Sequence, residues 1–348
     1  AVAMGEEAEQ ENTYQLFRVY WTPSMSFAFS KQQVVVKTRI SYAHQAYRQS
    51  RTGHLWVDPS IQWNWKVSAL SSFSADVGYT NSPLTGKSIY DTPIFTTYRT
   101  QKINQGKTAV THDLRATATY KYANPVWGVF LNVSPMYART SGNILYENVL
   151  NDRIFTIVAT DKKRATETTG LSGHISKTFG WAKTLLGLGA SFTTTDYCML
   201  VTGKVNVARM TVTSVALNFS LRPTRLLSVE GRSSVSFNQQ KNQTAPQLSS
   251  GSTNDWEHRL NIHVFPANGW MLSINNQLFH TNSEGIGTSF FLDLAMSYKT
   301  KRWELTFSAN NIIGSSKLEQ HVLGNTIETY MATHLRPREF LVNWAIDL

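Results

Sequence analysis

The sequence predicts an all-β protein, the wall of a transmembrane antiparallel β-barrel. Three observations predict it. Apolar and polar residues alternate with period two over long stretches. Many of the predicted strands run about 12–18 residues, against a mode of about 5–6 in soluble sheets. Short and long connections also alternate, as short periplasmic turns and long outer loops do in outer-membrane barrels. No comparable stretch keeps a helical period, and no run of about 18 apolar residues exists to form a transmembrane helix.

The first strand, 11–29, sets Phe17, Val19, Trp21, Met25 and Phe27 against Arg18, Ser24 and Ser26. Strand 33–48 sets Val34, Val36 and Ile40 against Lys37 and Arg39. Strand 53–68 sets Ile61, Trp63 and Trp65 against Asp58, Gln62, Asn64 and Lys66. Strands 70–81, 109–122, 126–141, 165–179, 182–197, 204–221 and 225–239 follow. Then come 254–265, 269–281, 286–299, 301–312 and 331–348, making about 15 in all. The last alternates most cleanly, with Phe340, Val342, Trp344, Ile346 and Leu348 on one face. Side chains of a strand point alternately to its two faces. Trp63, Trp65, Leu292, Leu294, Trp344 and Ile346 are therefore expected to face lipid. Lys66, Arg259, Asp293 and Asn343 are expected to face the lumen.

The strand count has a consequence. With a periplasmic C-terminus, about 15 strands place residue 1 outside the cell. Bacterial single-chain barrels normally have an even number of strands, and an open edge in lipid leaves backbone groups unsatisfied. Further strands are therefore expected to complete the wall. Residues 1–10 are polar and acidic and read as an extracellular loop or a remnant, with 11–348 as the barrel portion. Nothing in residues 1–13 resembles the apolar region of a signal peptide.

Composition fits the same reading. The 348 residues include 10 Trp, 14 Tyr and 17 Phe, enough to build aromatic girdles at both membrane interfaces. The net charge of +10 is dispersed over strands and loops, with no basic helix or nucleic-acid motif, so no nucleic-acid partner is expected. Lumen lining and anionic lipid headgroups account for the cations better. Cys198 is the only cysteine, so no internal disulfide can form.

Chemistry is sparse. None of the nine histidines forms a His-x-x-x-His pair or a Glu-adjacent metalloprotease motif, so no metal or cofactor is expected. No Gly-x-Ser-x-Gly elbow appears. His263, Arg259 and Glu257 share one strand face and read as a salt-bridged lumen wall rather than a catalytic pair. No catalytic residue is assigned, and the protein is expected not to be an enzyme. Binding usually resides on loops carried by a rigid scaffold. The long connections 82–108, 142–164, 240–253 and 313–330 are expected to be extracellular. Tyr90, Phe95, Tyr98, Arg99 and Lys102 in the first, with Tyr146, Asp152 and Arg153 in the second, are the candidate ligand contacts. Packing of the loops on themselves is the competing account of these residues.

Several motifs carry a family resemblance. They are Leu16-Phe-Arg-Val-Tyr-Trp-Thr-Pro-Ser-Met-Ser-Phe, Thr97-Tyr-Arg-Thr and Val264-Phe-Pro-Ala-Asn-Gly-Trp. The strongest are Ala309-Asn-Asn-Ile-Ile-Gly and Leu335-Arg-Pro-Arg-Glu-Phe before the last strand. Over residues 11–348 the chain resembles the C-terminal barrel portion of TonB-dependent outer-membrane receptors, of the Bacteroidetes type. The resemblance implies a bacterial outer-membrane location and a 22-stranded barrel filled by an N-terminal plug. It implies import of a scarce nutrient, with the TonB energy complex acting through the plug-bearing segment. The implied partners are the remaining N-terminal barrel and plug segment, that energy complex, outer-membrane lipids and, as an optional lid, a surface lipoprotein. Leu348 stands where the family usually ends on an aromatic residue. A passive porin-like channel of 14 or 16 strands is the alternative, and a structural or adhesive barrel a third reading.

Overall fold

A computed structural model describes residues 14–47, 50–83, 93–104, 110–151, 154–201, 203–246, 249, 251–283, 287–313, 317–323, 328–334 and 338–346. Residues 1–10 lie outside this set. Among the described residues, twenty strands join one sheet and two more form a separate hairpin.

The sheet begins with β1 (Tyr14–Trp21) and β2 (Ser24–Phe29), both paired with β3 (Gln32–Tyr47). These two segments divide the single strand expected over 11–29. Pro23 lies between them and has no N–H to give to a ladder, although its carbonyl still accepts the Thr38 N–H at 3.1 Å. The wall continues through β4 (Ser50–Lys66) and β5 (Ser71–Pro83). It passes to β8 (Val110–Asn124) and β9 (Val129–Gly142). Next come β12 (Arg164–Phe179), β13 (Thr184–Val201), β14 (Lys204–Thr224) and β15 (Leu227–Asn242). It ends with β16 (Gly251–Val264), β17 (Trp270–Thr281), β18 (Ser289–Lys299), β19 (Trp303–Asn310) and β22 (Glu339–Ile346). Every one of these pairings is antiparallel. Counting β1 and β2 as one broken strand, they form the 15 wall positions read from periodicity.

Three connections expected to be plain loops carry hairpins of their own. These are β6 (Ile94–Thr97) with β7 (Thr100–Ile103), β10 (Leu145–Asn151) with β11 (Ile154–Thr160), and β20 (Lys317–Leu323) with β21 (Glu328–His334). Residues 331–334, expected to open the final strand, belong instead to β21. Strands of four to seven residues are too short to show a clear period.

Ladder register keeps one face parity across the whole wall. Lys66 opposes Ser72, Ser72 opposes Lys121, and Lys121 opposes Asn132. Arg259 opposes Gln277, and Asp293 opposes Asn275. Thr306 links Ser297 to Asn343. Lys66, Arg259, Asp293 and Asn343 thus lie on the polar face, which a membrane barrel turns inward. Trp63, Trp65, Leu292, Leu294, Trp344 and Ile346 lie on the opposite, apolar face. That face stays open, with Leu55 71%, Trp344 69% and Leu171 52% exposed, and it belongs against lipid rather than water. Among the described residues, β22 pairs only with β19, and β1 and β2 only with β3. Within this set, neither edge of the sheet meets a further strand.

Candidate ligand site at the barrel mouth

Buried apolar residues lie in and beside the β10–β11 hairpin and near the adjoining end of β13. Ile144, Leu145, Ala159, Met199 and Leu200 are all buried. Hairpins from two loops build a common layer. β7 runs parallel to β11, with Phe155 opposite Thr100 and Val158 opposite Ile103. The Phe155 N–H donates to Arg99 O at 2.7 Å, and Gln101 Nε2 donates to Thr156 Oγ1 at 2.8 Å. On the far side, Glu147 on β10 forms a parallel bridge with Leu200 at the tip of β13. Its Oε1 accepts the Gly203 N–H at 2.7 Å, while Lys162 Nζ donates to Gly203 O. Parallel pairing between loops far apart in sequence fixes their relative position, which a solvated loop would not do.

Tyr146 sits at the centre of this layer. Its hydroxyl donates to Asn104 Oδ1 at 3.5 Å, and Asn104 is fully buried. Lys102 Nζ stands 4.6 Å from the Tyr146 ring centroid, a cation–π contact. Beside the ring is a cavity of about 40 Å³ bounded by Val110, Thr111, Gly142, Asn143, Ile144, Tyr146 and Arg164. The Arg164 side chain lies over Gly142, where an added Cβ would come 3.0 Å from its Nε. Asn143 Oδ1 accepts the Val110 N–H at 3.2 Å and holds the rim of the cavity. Burial pushes the Tyr146 phenol above its ordinary range, with the positive charge of Arg164 pulling the other way. The phenol therefore stays protonated at neutral pH and keeps its donor.

Two cations flanking a protonated phenol suit an anionic or electron-rich aromatic ligand. Of the residues proposed from sequence, Lys102 and Tyr146 meet here. Phe95 lies exposed on β6, and Tyr98 (86% exposed) and Arg99 form the β6–β7 turn, the Arg99 guanidinium 5.2 Å from the Tyr98 ring. Tyr90, Asp152 and Arg153 lie outside the described residues. Arg164 and Asn104 escaped the sequence reading. A cation on the first residue of a strand after a long loop was the available signal for Arg164; Asn104 had none.

The polar face below the mouth is laced with contacts. Thr140 Oγ1 donates to Asp113 Oδ1 at 2.6 Å, and the Thr119 and Ser134 hydroxyls are 3.0 Å apart. Arg259 pairs with Glu257. His263 Nδ1 instead meets Ser273 Oγ at 2.9 Å, so the histidine and the carboxylate do not form a pair. Lower down, a cleft of about 300 Å³ is lined by His174, Glu230, Arg232 and Arg259 together with Leu185 and Phe219, among others.

No protein-family model matches the chain, and no curated protein matches it by sequence. Solved structures match its fold. One is the ferric enterobactin receptor of Pseudomonas aeruginosa, at TM-score 0.52 and 10% identity, over 91% of this chain and 45% of that one. The same receptor in complex with enterobactin matches at TM-score 0.51 and 10% identity, over 96% and 59%. The ferric-catecholate import receptor Fiu of E. coli K12 matches at TM-score 0.50 and 10% identity, over 97% and 66%. The chain thus spans between 45% and 66% of the length of these receptors. At such identity the likeness is one of fold: the sheet of this chain resembles part of the β-barrel wall of these receptors.

Proposed function

We propose that residues 11–348 are the C-terminal wall of a TonB-dependent transporter in a bacterial outer membrane, of the Bacteroidetes type. The observation that carries this reading is the mouth: outer hairpins interlocked into a rigid layer, set over a polar wall. In this reading the mouth captures a scarce nutrient, and movement of a plug opens the polar path. The wall would be closed by an N-terminal barrel segment pairing with β22 and with β1–β2, because unpaired edges cannot stand in lipid. That segment would bear the plug and the contact with the TonB energy complex. The exposed β6–β7 turn is the place for a surface lipoprotein to rest.

Lys102, Tyr146 and Arg164 are proposed as the ligand contacts, with Phe95, Tyr98 and Arg99 as an outer rim. Uptake in cells tests the whole reading. Transport should require an energised inner membrane and saturate with ligand. Lys102→Ala with Arg164→Ala should weaken capture of an anionic ligand roughly tenfold or more while the protein stays in the membrane. Uptake that is linear in concentration and indifferent to energisation would identify a passive pore instead.

A further inference from the structure

Register places five charged residues in one row on the apolar face. Arg139 on β9 opposes Glu167 on β12, and Glu167 opposes Asp196 on β13. Asp196 opposes Arg209 on β14, which opposes Lys241 on β15. Their parity is that of Leu131, Ile175, Leu188 and Leu217 on the same strands, so they look outward, away from the lumen. Arg139 Nε lies 3.3 Å from Glu167 Oε1. Arg209 holds both Asp196 oxygens, through Nε at 2.6 Å and Nη2 at 2.7 Å. The two carboxylates are thereby neutralised. Lys241 is exposed and has no ion pair among the described residues, which leaves the row cationic.

The height of this row is informative. Arg139 lies 11 residues above Gly128 in the β8–β9 turn (139 − 128). At about 3.3 Å per residue that is roughly 36 Å along the strand, or about 28 Å once the strand tilts by about 40°. The apolar band of such barrels is about 25 Å tall, so the row stands at its outer boundary. The tier immediately below is Thr169, Thr194 and Thr211, directly opposite one another. Apolar side chains, Leu171 and Phe192 among them, begin one tier lower. Cations over hydroxyls over apolar side chains repeats the layering of a phosphorylated glycolipid: phosphate, sugar, acyl chain.

We propose that the outer face of β9 and β12–β15 binds a phosphorylated glycolipid of the outer leaflet. Its phosphates meet Arg139, Arg209 and Lys241, its sugar meets the threonine tier, and its acyl chains lie on Leu171 and Phe192. The carboxylates of Glu167 and Asp196 hold the guanidiniums in place along the row. This inference rests on the outer-membrane reading of the wall and is independent of transport.

Binding of three probes to the full-length protein in detergent tests it: diphosphoryl lipid A, its monophosphoryl form, and phosphatidylglycerol vesicles. Diphosphoryl lipid A should bind tightest and raise the melting temperature. Replacing Arg139, Arg209 and Lys241 together by Gln should weaken that binding roughly tenfold or more. Lys66→Gln, on the polar face, should leave it unchanged. Lys241→Gln alone disturbs no ion pair of the described residues and should still weaken binding severalfold, should the triple variant fold poorly. Unchanged lipid A binding in the Lys241 variant would overturn the proposal, as would equal binding of phosphatidylglycerol. Energised uptake, measured separately, bears on the transporter reading alone.

Discussion

At the scale of single residues, Pro59 shapes the wall most visibly. It sits inside β4, where a proline cannot donate to a neighbouring strand. The β4–β5 ladder runs from Lys66 to Ser60 and stops there. Above it, Asp58 takes over the pairing. Its Oδ1 accepts the Asn81 N–H at 2.9 Å and Asn81 Nδ2 at 2.8 Å, and Arg18 Nη2 lies 3.5 Å from Oδ2. Asp58→Ala should destabilise the protein by about 2–4 kcal/mol, because it strands a buried N–H and unpairs a cation. Thermal unfolding in detergent measures this, and a loss under about 0.5 kcal/mol would contradict the account. Gly128 makes a similar claim on backbone geometry. Its φ is +62°, and a Cβ there would lie 2.7 Å from Thr178 O. Gly128→Val should therefore cost about 2 kcal/mol or more in the same assay.

At the scale of elements, the outer hairpins and the wall obey different rules. The hairpins hold buried apolar residues and hydrogen bonds, so they should behave as a small folded unit. Tyr146→Phe removes the donor to Asn104 and should loosen the β10–β11 hairpin by about 1 kcal/mol. Hydrogen exchange in β10 reads this out. The raised pKa of Tyr146 fixes the sign of its pH dependence. The folded state holds the phenol proton more tightly than the unfolded chain. The associated stability is therefore fully present below the ordinary phenol pKa of about 10 and lost as pH rises through the folded value. Exchange protection of β10 should stay level from about pH 6 to 9 and fall only above that range. In the wall, the lipid-facing side chain is the sensitive one. Leu294 opposes Ile274 and Ala309, in an outer-face trough that also includes Met296, Phe307 and Phe340. Leu294→Arg should cost about 2–4 kcal/mol if it lies near the midplane, whereas Asp293→Asn on the polar face should cost much less. Equal effects of the two changes would mean that the faces are assigned the wrong way round.

At the scale of the whole molecule, the two sheet edges that meet no further strand among the described residues dominate. Each presents a row of backbone donors and acceptors that lipid cannot satisfy. Residues 1–348 produced alone should accordingly fail to form a closed, heat-resistant barrel in detergent. Gel mobility before and after boiling decides the matter. A stable closed monomer from this chain would refute the expectation of further strands and favour the small porin. If the proposed orientation holds, the exposed Tyr98–Arg99 turn should also be cut by trypsin added to intact cells, because it is an exposed turn that carries an arginine.

Period-two alternation by itself determined the wall: its 15 positions, its two faces and the side on which Lys66, Arg259, Asp293 and Asn343 lie. A strand with one face in lipid must write that pattern into its residues, and a one-residue slip would invert it. The clean alternation of Phe340 to Ile346 is the plainest case. Lys102 and Tyr146 were legible as loop residues but not as neighbours. Only the tertiary structure brought them together with Arg164, since parallel pairing of β7 with β11 joins segments about 55 residues apart (156 − 101). The outward charged row was hidden for the same reason. Arg139, Glu167, Asp196, Arg209 and Lys241 are scattered along the chain, and only ladder register aligns them. Alternation is a local property that each strand carries for itself. Register and loop-to-loop pairing are relations between strands, and they exist only once the sheet has formed.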